Sequence, residues 1–562
     1  MRTEQDYDVV VAGAGPTGFT LAIDLGQRGV RVLLVEKDPT TKQFPKMDRS
    51  NARTMEIFRR LGFVDRVREL GYPADNPMDV FVVTRLVDPP LTMLEYPSVA
   101  EHREVIAAAT DGSEPLEPYQ LVSQNDLEPL LREVAEATQG VTVRFGCELV
   151  GFAQDDDGVD VVLRTAAGDE SVRAGYLAGC DGGASPVRKQ LGIKLAGRGN
   201  LIEQRQVTFR SEGLYDSIKM GKGRHYYVAD LQGAVFIVQG SRTHITLNAQ
   251  LPPEADLEAE VRSRIGFETD VELVNSTTWR LHLLLAERYR DRRVFLAGDA
   301  AHLVIPTGGL GMNSGVGDAV DLAWKLAGTV HGWGGPGLLD SYEPERRRVG
   351  ERNVRASGWA AEGLGLWRAL VTADVAEATS EGERVRAEVA AAAQVHQRRV
   401  HEMIGVELGY SYAGSALVAH EPGEERDSDW ETTTYTPHTR PGVRVPHVWR
   451  KDGSAVQDVV GRDFTVLDLT GRAALEPLVD AFADLGAPLS VVTSDEPDVR
   501  AAYGCSLLLL RPDLHVAWRG KALPGDPAAV AGLAAMATGQ RDSSRIWPAT
   551  GRPNAYAETI GL

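Results

Sequence analysis

Cysteine is nearly absent. The 562-residue chain has three, at Cys147, Cys180 and Cys505. None falls in a CxxC or Cys/His spacing, so neither a disulfide framework nor a structural zinc site is expected, and no metal site is assigned. Positive charge is also short. Lys and Arg number 60 against 79 Asp and Glu, a formal net charge of −19. No Lys/Arg stripe offers a footprint for nucleic acid, and an anionic membrane would repel the chain. Long apolar runs are missing, so no membrane-spanning helix is expected. The N-terminus enters a strand directly, with no basic region followed by a signal-peptide core. These absences point to a cytoplasmic protein that acts on a small molecule.

What remains is ordinary soluble composition, 43% hydrophobic and 25% charged. The length exceeds what one core serves, and about three domains are expected. Val9, Val10 and Val11 run together without alternation, as in a parallel strand covered on both faces. Gly13-Ala14-Gly15-Pro16-Thr17-Gly18 follows, then a helical pattern from Phe19 to Arg28, then a second buried strand ending at Glu36. From about Gln206 to Leu251 the pattern changes to short β-rich runs, read as a meander in an inserted antiparallel sheet. Val294 to Ala297 resumes the buried-strand pattern, and a long helix is expected from near Asn313. The polar stretch Glu421 to Thr434 reads as a linker or surface loop. Beyond it a β-α-β-α-β-β-α order suggests a small thioredoxin-like domain without the CxxC of redox chemistry.

Three motifs carry chemistry. In GAGPTG, Gly13 allows a tight turn, Gly15 lets a pyrophosphate approach the backbone, and Gly18 lets helix and strand pack closely. The phosphates then lie at a helix N-terminus. Glu36, with Lys37 after it, ends the second strand, where a carboxylate can accept from ribose hydroxyls. This unit alone leaves FAD and NAD(P) both open. The second motif, RVFLAGDAAHLVIPTGGLGMN at 293–313, favours a flavin. Asp299 can accept from a ribityl hydroxyl. The loop from Gly308 to Asn313 has too little side chain to block a flat ring, and its N–H groups open a helix where negative charge is stabilised. Between the two lies CDGGASPVR, with Asp181 in a strand-end turn.

Together these motifs resemble the single-component FAD-dependent aromatic hydroxylases, the class A flavoprotein monooxygenases. The resemblance covers residues 7 to about 400, and the tail is similar to that of the phenol-hydroxylase and polyketide-tailoring branch. It implies an α/β fold: a Rossmann-like FAD-binding domain (1–75, 101–185 and 285–400, with trailing helices), an inserted antiparallel β-sheet substrate domain (76–100 and 186–284), and a connecting segment with a thioredoxin-like C-terminal domain (401–562). It implies FAD and NADPH as cofactors, O2 as co-substrate, and hydroxylation of a phenolic or polycyclic aromatic through a flavin C4a-hydroperoxide. Gly13, Gly15, Gly18, Glu36 and Lys37 match ADP-binding positions. Arg53 matches an arginine near the FAD phosphates and ribityl chain, and Gln124 a glutamine that contacts FAD. Asp181 matches the dual FAD/NADPH motif and Asp299 the ribityl-binding aspartate. Pro306 matches a proline beside the reacting edge of the ring, and Gly311, Met312 and Asn313 its pyrimidine-edge contacts.

Asp48, in MDRSNARTME, resembles an aspartate thought to help deprotonate the substrate phenol, since a phenolate is the better nucleophile. The alternative is a surface ion pair with Arg49 or Lys46. Lys46 itself departs from the family, which commonly has arginine there, and loses its bidentate fork. Tyr410 and Tyr412 read first as packing residues, His225 and His244 as ordinary sheet residues, and His302 as a support for its loop. Two other chemistries stay open: a Baeyer–Villiger or epoxidising flavin enzyme, and a non-oxygenating flavin-binding reductase or scaffold. A homodimer is also left open.

Overall fold

The structure, a computed structural model, describes residues 5–41, 47–238, 242–421 and 432–540. Its first sheet is α/β and mostly parallel. Tyr7–Ala12 lies at the centre, flanked by Val32–Glu36 and Gly168–Gly179, with Val141–Phe145 and Val294–Leu296 outside them. Val9, Val10 and Val11 are fully buried, as an unalternating apolar run demands when both sheet faces are covered. A hairpin, Glu148–Gln154 and Val159–Thr165, adds antiparallel strands. The last of these pairs with one twelve-residue strand, Gly168–Gly179, longer than the sequence pattern suggested.

The parallel register carries a consequence. The carboxyl ends of four strands meet at one edge, where Glu36 ends its strand, Gly13 follows directly and Asp181 and Asp299 sit in the turns just beyond. Ligands of open α/β sheets bind along such an edge. Helix Pro16–Gln27 leaves it, and helix Gly311–Val330 begins beside it, two residues before the expected Asn313. The helices approach closely because small residues face each other. A Cβ on Gly315 would lie 2.1 Å from Thr17 Oγ1, and one on Gly298 would lie 2.7 Å from it.

The second sheet has seven strands, in the order Glu272–Arg280, Glu203–Arg210, His244–Ala249, Val235–Val238, His225–Val228, Val80–Val83 and Thr92–Leu94. It is antiparallel except where His225–Val228 runs parallel to Val80–Val83. That pair joins two separate insertions, so no short turn dictates its direction. The expected meander is correct only for the last three strands of its stretch. Glu203–Arg210 crosses to the far side and pairs with His244–Ala249. The C-terminal domain has the predicted order: Phe464–Asp468 is parallel to Leu489–Thr493 and antiparallel to Leu507–Leu510, which pairs with Val516–Gly520. Most of the expected linker, 422–431, lies outside the described residues. Among the described residues no helix is long and apolar enough to cross a membrane.

The C-terminal domain docks through buried charge. Arg511 contacts Glu345 Oε1 at 2.8 Å, Asp321 Oδ1 at 3.0 Å and its own domain's Asp513 Oδ2 at 2.7 Å. Lys325 joins Asp321 and Glu345 at 2.8 and 2.6 Å. Burial opposes the charge on Glu345, but Arg511 and Lys325 hold its carboxyl down to about 2, against an ordinary 4.5. A depressed value contributes stability that is complete above the ordinary value and is lost as pH falls through the folded one. The share of the seam that Glu345 contributes is therefore complete at neutral pH and is lost only as pH falls from about 4.5 toward 2, whereas burial pushes its neighbour Asp321 up to about 8. Arg511→Ala would leave Asp321 and Glu345 to share Lys325 alone and deprive Asp513 of its arginine, and should lower unfolding free energy by about 3–5 kcal/mol. Urea unfolding at pH 7 checks this, and an unchanged midpoint would contradict it.

Candidate functional site

The glycine turn is shaped by contact. Gly13 has φ +100, and a Cβ there would lie 2.4 Å from Cys180 O and 2.9 Å from Asp181 Cα. A Cβ on Gly18 would lie 1.9 Å from Gly13 O. Gly15 differs: φ is −84, and a Cβ would meet nothing within 4 Å. That open side faces outward at the N-cap of Pro16–Gln27, which has no side-chain cap. A pyrophosphate fits such a position, since unpaired N–H groups and the helix dipole both favour an anion.

The acidic groups of this edge are arranged unequally. Glu36 accepts from Ala14 N at 2.9 Å and Asp38 N at 3.1 Å, which fixes the turn as well as the carboxylate. Lys37 beside it is exposed. Asp181 Oδ2 accepts from Val187 N at 3.0 Å, while the buried Oδ1 has no partner. Burial pushes the Asp181 carboxyl up. Asp299 is exposed although residues 294–298 and Ala300 are buried. An orphaned carboxylate oxygen and an exposed carboxylate, both at strand ends, fit the hydroxyl-rich chain of a dinucleotide.

The turn carrying Asp299 is held from behind. His302 Nε2 lies 2.8 Å from Asp318 Oδ2, which also accepts from Gly298 N at 3.0 Å. Arg346 Nε donates to Asp318 Oδ1 at 2.7 Å. Burial opposes this charge, but Arg346 and His302 hold the carboxyl below the usual range. His302 thus supports its loop, as expected. The Gly-rich loop that follows ends at Gly311, where the first-turn N–H groups of Gly311, Met312 and Asn313 lack intrahelical acceptors. Pro306 is exposed at its start, and its carbonyl accepts from Gly309 N at 2.9 Å.

Asn313 has a second task that the sequence concealed. Its side-chain carbonyl accepts from Asn51 N and its amide donates to Arg49 O, each at 2.9 Å. The amide also donates to Gly309 O. The side chain therefore ties segment 49–51 to the Gly-rich loop, leaving its main-chain N–H for a ligand. A Cβ on Gly309 would lie 3.1 Å from Arg49 Cδ, and one on Gly308 would lie 2.9 Å from Met403 Cε. Thus two sequence-distant segments, around residues 48 and 401, border this loop.

Asp48 sits on the first of them. It does not pair with Arg49, whose partner is Glu407, and Lys46 lies outside the described residues. Its partner is Arg224, at 2.5 Å, from the inserted sheet. His225 Nε2 is 3.8 Å from the same oxygen. The His401 ring lies beside that of His225, with centroids 5.3 Å apart, and Tyr227 stacks on His225 at 6.0 Å while meeting His401 edge-on at 6.0 Å. Burial first, then Arg224 and Arg49, keeps His225 well below 6.5. Burial, then His225 and Arg49, does the same for His401. Arg49 is neutralised by Glu407 at 2.7 Å. The structure therefore moves His225 from ordinary sheet residue to site residue and adds Arg224 and His401. No local pattern marks them: Arg224 is 176 positions from Asp48.

Two other expected cofactor residues, Arg53 and Gln124, have protein partners of their own. Arg53 donates to Asp513 O at 2.8 Å and lies 3.4 Å from Glu56, at the seam with the C-terminal domain. Gln124 donates to Glu128 Oε1 at 2.6 Å, and its main-chain N–H donates to Met47 O at 3.2 Å. Tyr410 and Tyr412 are packing residues: they lie 5.7 Å apart, and Arg511 sits over Tyr412 at 4.7 Å.

Comparison with known proteins agrees with this geometry. The FAD binding domain family matches residues 6–357, and the aromatic-ring hydroxylase C-terminal family matches residues 438–539. The FAD-dependent monooxygenase apdD of Emericella nidulans is 34% identical over 91% of this chain and 87% of its own. The structure of RebC with bound 7-carboxy-K252c superposes with a TM-score of 0.87 at 32% identity, over 96% of this chain and all of that one. A ternary complex of aklavinone-11 hydroxylase with FAD and aklavinone gives 0.79 at 29%, with the same coverage.

The two glycines separate folding from cofactor retention. Gly15→Ala should fold normally and lose bound flavin, because its methyl enters only the open space. Gly18→Ala should lower soluble yield, because its methyl collides with the main chain. Flavin absorbance per protein and the thermal midpoint of each variant check this, and a Gly15→Ala protein with full flavin content would be the contrary result.

Proposed function

We propose, because the chain belongs to the FAD-dependent aromatic-ring hydroxylases, that it hydroxylates a phenolic, polycyclic aromatic compound of the polyketide kind. NADPH is the electron donor and O2 the oxygen source in this reading. Gly13, Gly15, Gly18, Glu36 and Lys37 would hold the ADP half of FAD. Asp181 and Asp299 would take its hydroxyl-bearing chain, and the first-turn N–H groups of Gly311, Met312 and Asn313 the polar edge of its ring. Pro306 would border the reacting edge. When bound, FAD supplies the redox and oxygen-activating chemistry.

The observation that carries the reading is the position of Asp48. It is held by Arg224 from the inserted sheet, beside His225, on a segment that Asn313 ties to the Gly-rich loop. A ring hydroxyl placed here lies between polar groups able to remove its proton and a loop open enough for a flat cofactor. A ketone-attacking or epoxidising enzyme has no need of that arrangement, and a scaffold has still less. The ligands in the two superposed structures, 7-carboxy-K252c and aklavinone, support a polycyclic substrate.

The test is turnover of the FAD-loaded protein with NADPH in air, using resorcinol, 1-naphthol and 1,8-dihydroxyanthraquinone. Faster NADPH oxidation with a product one oxygen heavier and little hydrogen peroxide is the expected result for the anthraquinone. Asp48→Asn should lower product per NADPH by about 100-fold, the usual scale of lost acid–base assistance. NADPH oxidation that no aromatic accelerates would sink the proposal, and equal use of NADH would correct the donor.

A further inference from the structure

A phenol can give up its proton only to a group whose change of charge the site tolerates. Asp48 is committed already. Its Oδ2 is 2.5 Å from Arg224 Nη2, and the Arg224 side chain is 1% exposed. Arg224 Nε and Nη1 are buried with no other partner. Protonating Asp48 would leave that guanidinium buried without its anion, the costly way to break a buried pair.

His225 is the nearest acceptor without such a commitment. Its Nε2 is 3.8 Å from Asp48 Oδ2, and among the described residues no protein group completes a hydrogen bond to its ring. A hydroxyl oxygen about 2.8 Å from each atom bridges the two without moving either. The groups facing His225 are Asp48 and Arg49 from one segment, Tyr227 from its own strand, Arg224 just before that strand, and His401 from helix Arg398–His401. Their charges, with Glu407 on Arg49, sum to zero when both imidazoles are neutral. Burial and the two arginines keep His225 unprotonated at rest, as a base must be. His401 accepts from the Gln397 side-chain amide at 3.2 Å and backs the His225 ring.

We propose that His225 is the base that takes the substrate's phenolic proton, and that Asp48, fixed by Arg224, stabilises the imidazolium so formed. This rests on the hydroxylase reading above. The phenol O–H bond breaks, its electron pair stays on oxygen, and the proton bonds to Nε2. Phenolate and imidazolium form together, so the site's net charge does not change and the Asp48–Arg224 pair stays whole. Transfer to solvent would instead leave a buried anion without a counterion.

Two readouts test this with the FAD-loaded full chain. The first is the phenolate absorbance of bound 4-nitrophenol against pH, without NADPH. Wild type should hold phenolate at lower pH than free solution does, and His225→Asn and His225→Gln should abolish that difference while keeping normal flavin content. The second is product per NADPH with 1,8-dihydroxyanthraquinone. Both variants should lose about 100-fold at pH 7 and regain yield as pH rises toward the phenol's solution pKa. His225 variants that titrate bound 4-nitrophenol as wild type does, while Asp48→Asn does not, would make Asp48 itself the base and overturn the assignment. A wild-type protein that hydroxylates none of the phenols would overturn the functional reading and this one with it. Active wild type with unaffected His225 variants overturns this one alone.

Discussion

The site exists because two helix N-termini reach one edge of a parallel sheet with nothing larger than glycine between them. Thr17 on the first helix stands against Gly298 and Gly315, and any Cβ at either glycine would collide with it. That contact sets the glycine turn and the Gly-rich loop side by side. Each helix start offers unpaired N–H groups. A ligand with phosphates at one end and a polar ring at the other can use both, which no single βα turn allows. The network of His302, Asp318 and Arg346 behind Gly298 then fixes the second strand end against the long helix.

Buried charge holds the C-terminal domain to this frame. The domain lacks a CxxC, and its lone Cys505 offers no redox pair. What it contributes instead is Arg511 and Arg444, which meet Asp321, Glu345 and Glu56 of the FAD-binding part. Such a seam is specific rather than adhesive. Each charge is worth keeping only while its partners are in place, so the domain has one seat. Arg53 belongs to this seam through Asp513. The same side chain matches, by resemblance, an arginine near the FAD phosphates, and here it also reaches across to another domain's main chain.

What was legible in the sequence follows from range. The strand–turn–helix unit, the strand end at Asp299 and the helix near Asn313 rest on neighbours within about ten positions, and their pattern is local. The thioredoxin-like order was legible for the same reason. The pairing of Glu203–Arg210 with His244–Ala249 was not, because the sheet reorders strands over a span that turn chemistry does not fix. His225 looked like an ordinary strand residue since its importance comes from Asp48, Arg49 and His401, contributed by distant segments. Asn313 was legible as a helix start but not as the tie to residues 49–51.

The substrate side of the site is governed by one accounting constraint: charge must balance before and after a proton moves. Arg224 is buried beyond solvent's help, so Asp48 has to remain an anion for it. This turns the carboxylate that the motif singles out into the fixed half of an ion pair, and leaves the chemistry of proton acceptance to a neutral neighbour. Burial first, and then the same arginine that pins Asp48, keeps His225 neutral. A phenolate forming beside His225 reverses that balance, since the new anion favours the imidazolium that Arg224 had opposed. The base is therefore strengthened by the product of its own action, and only when a hydroxyl-bearing ring is in place.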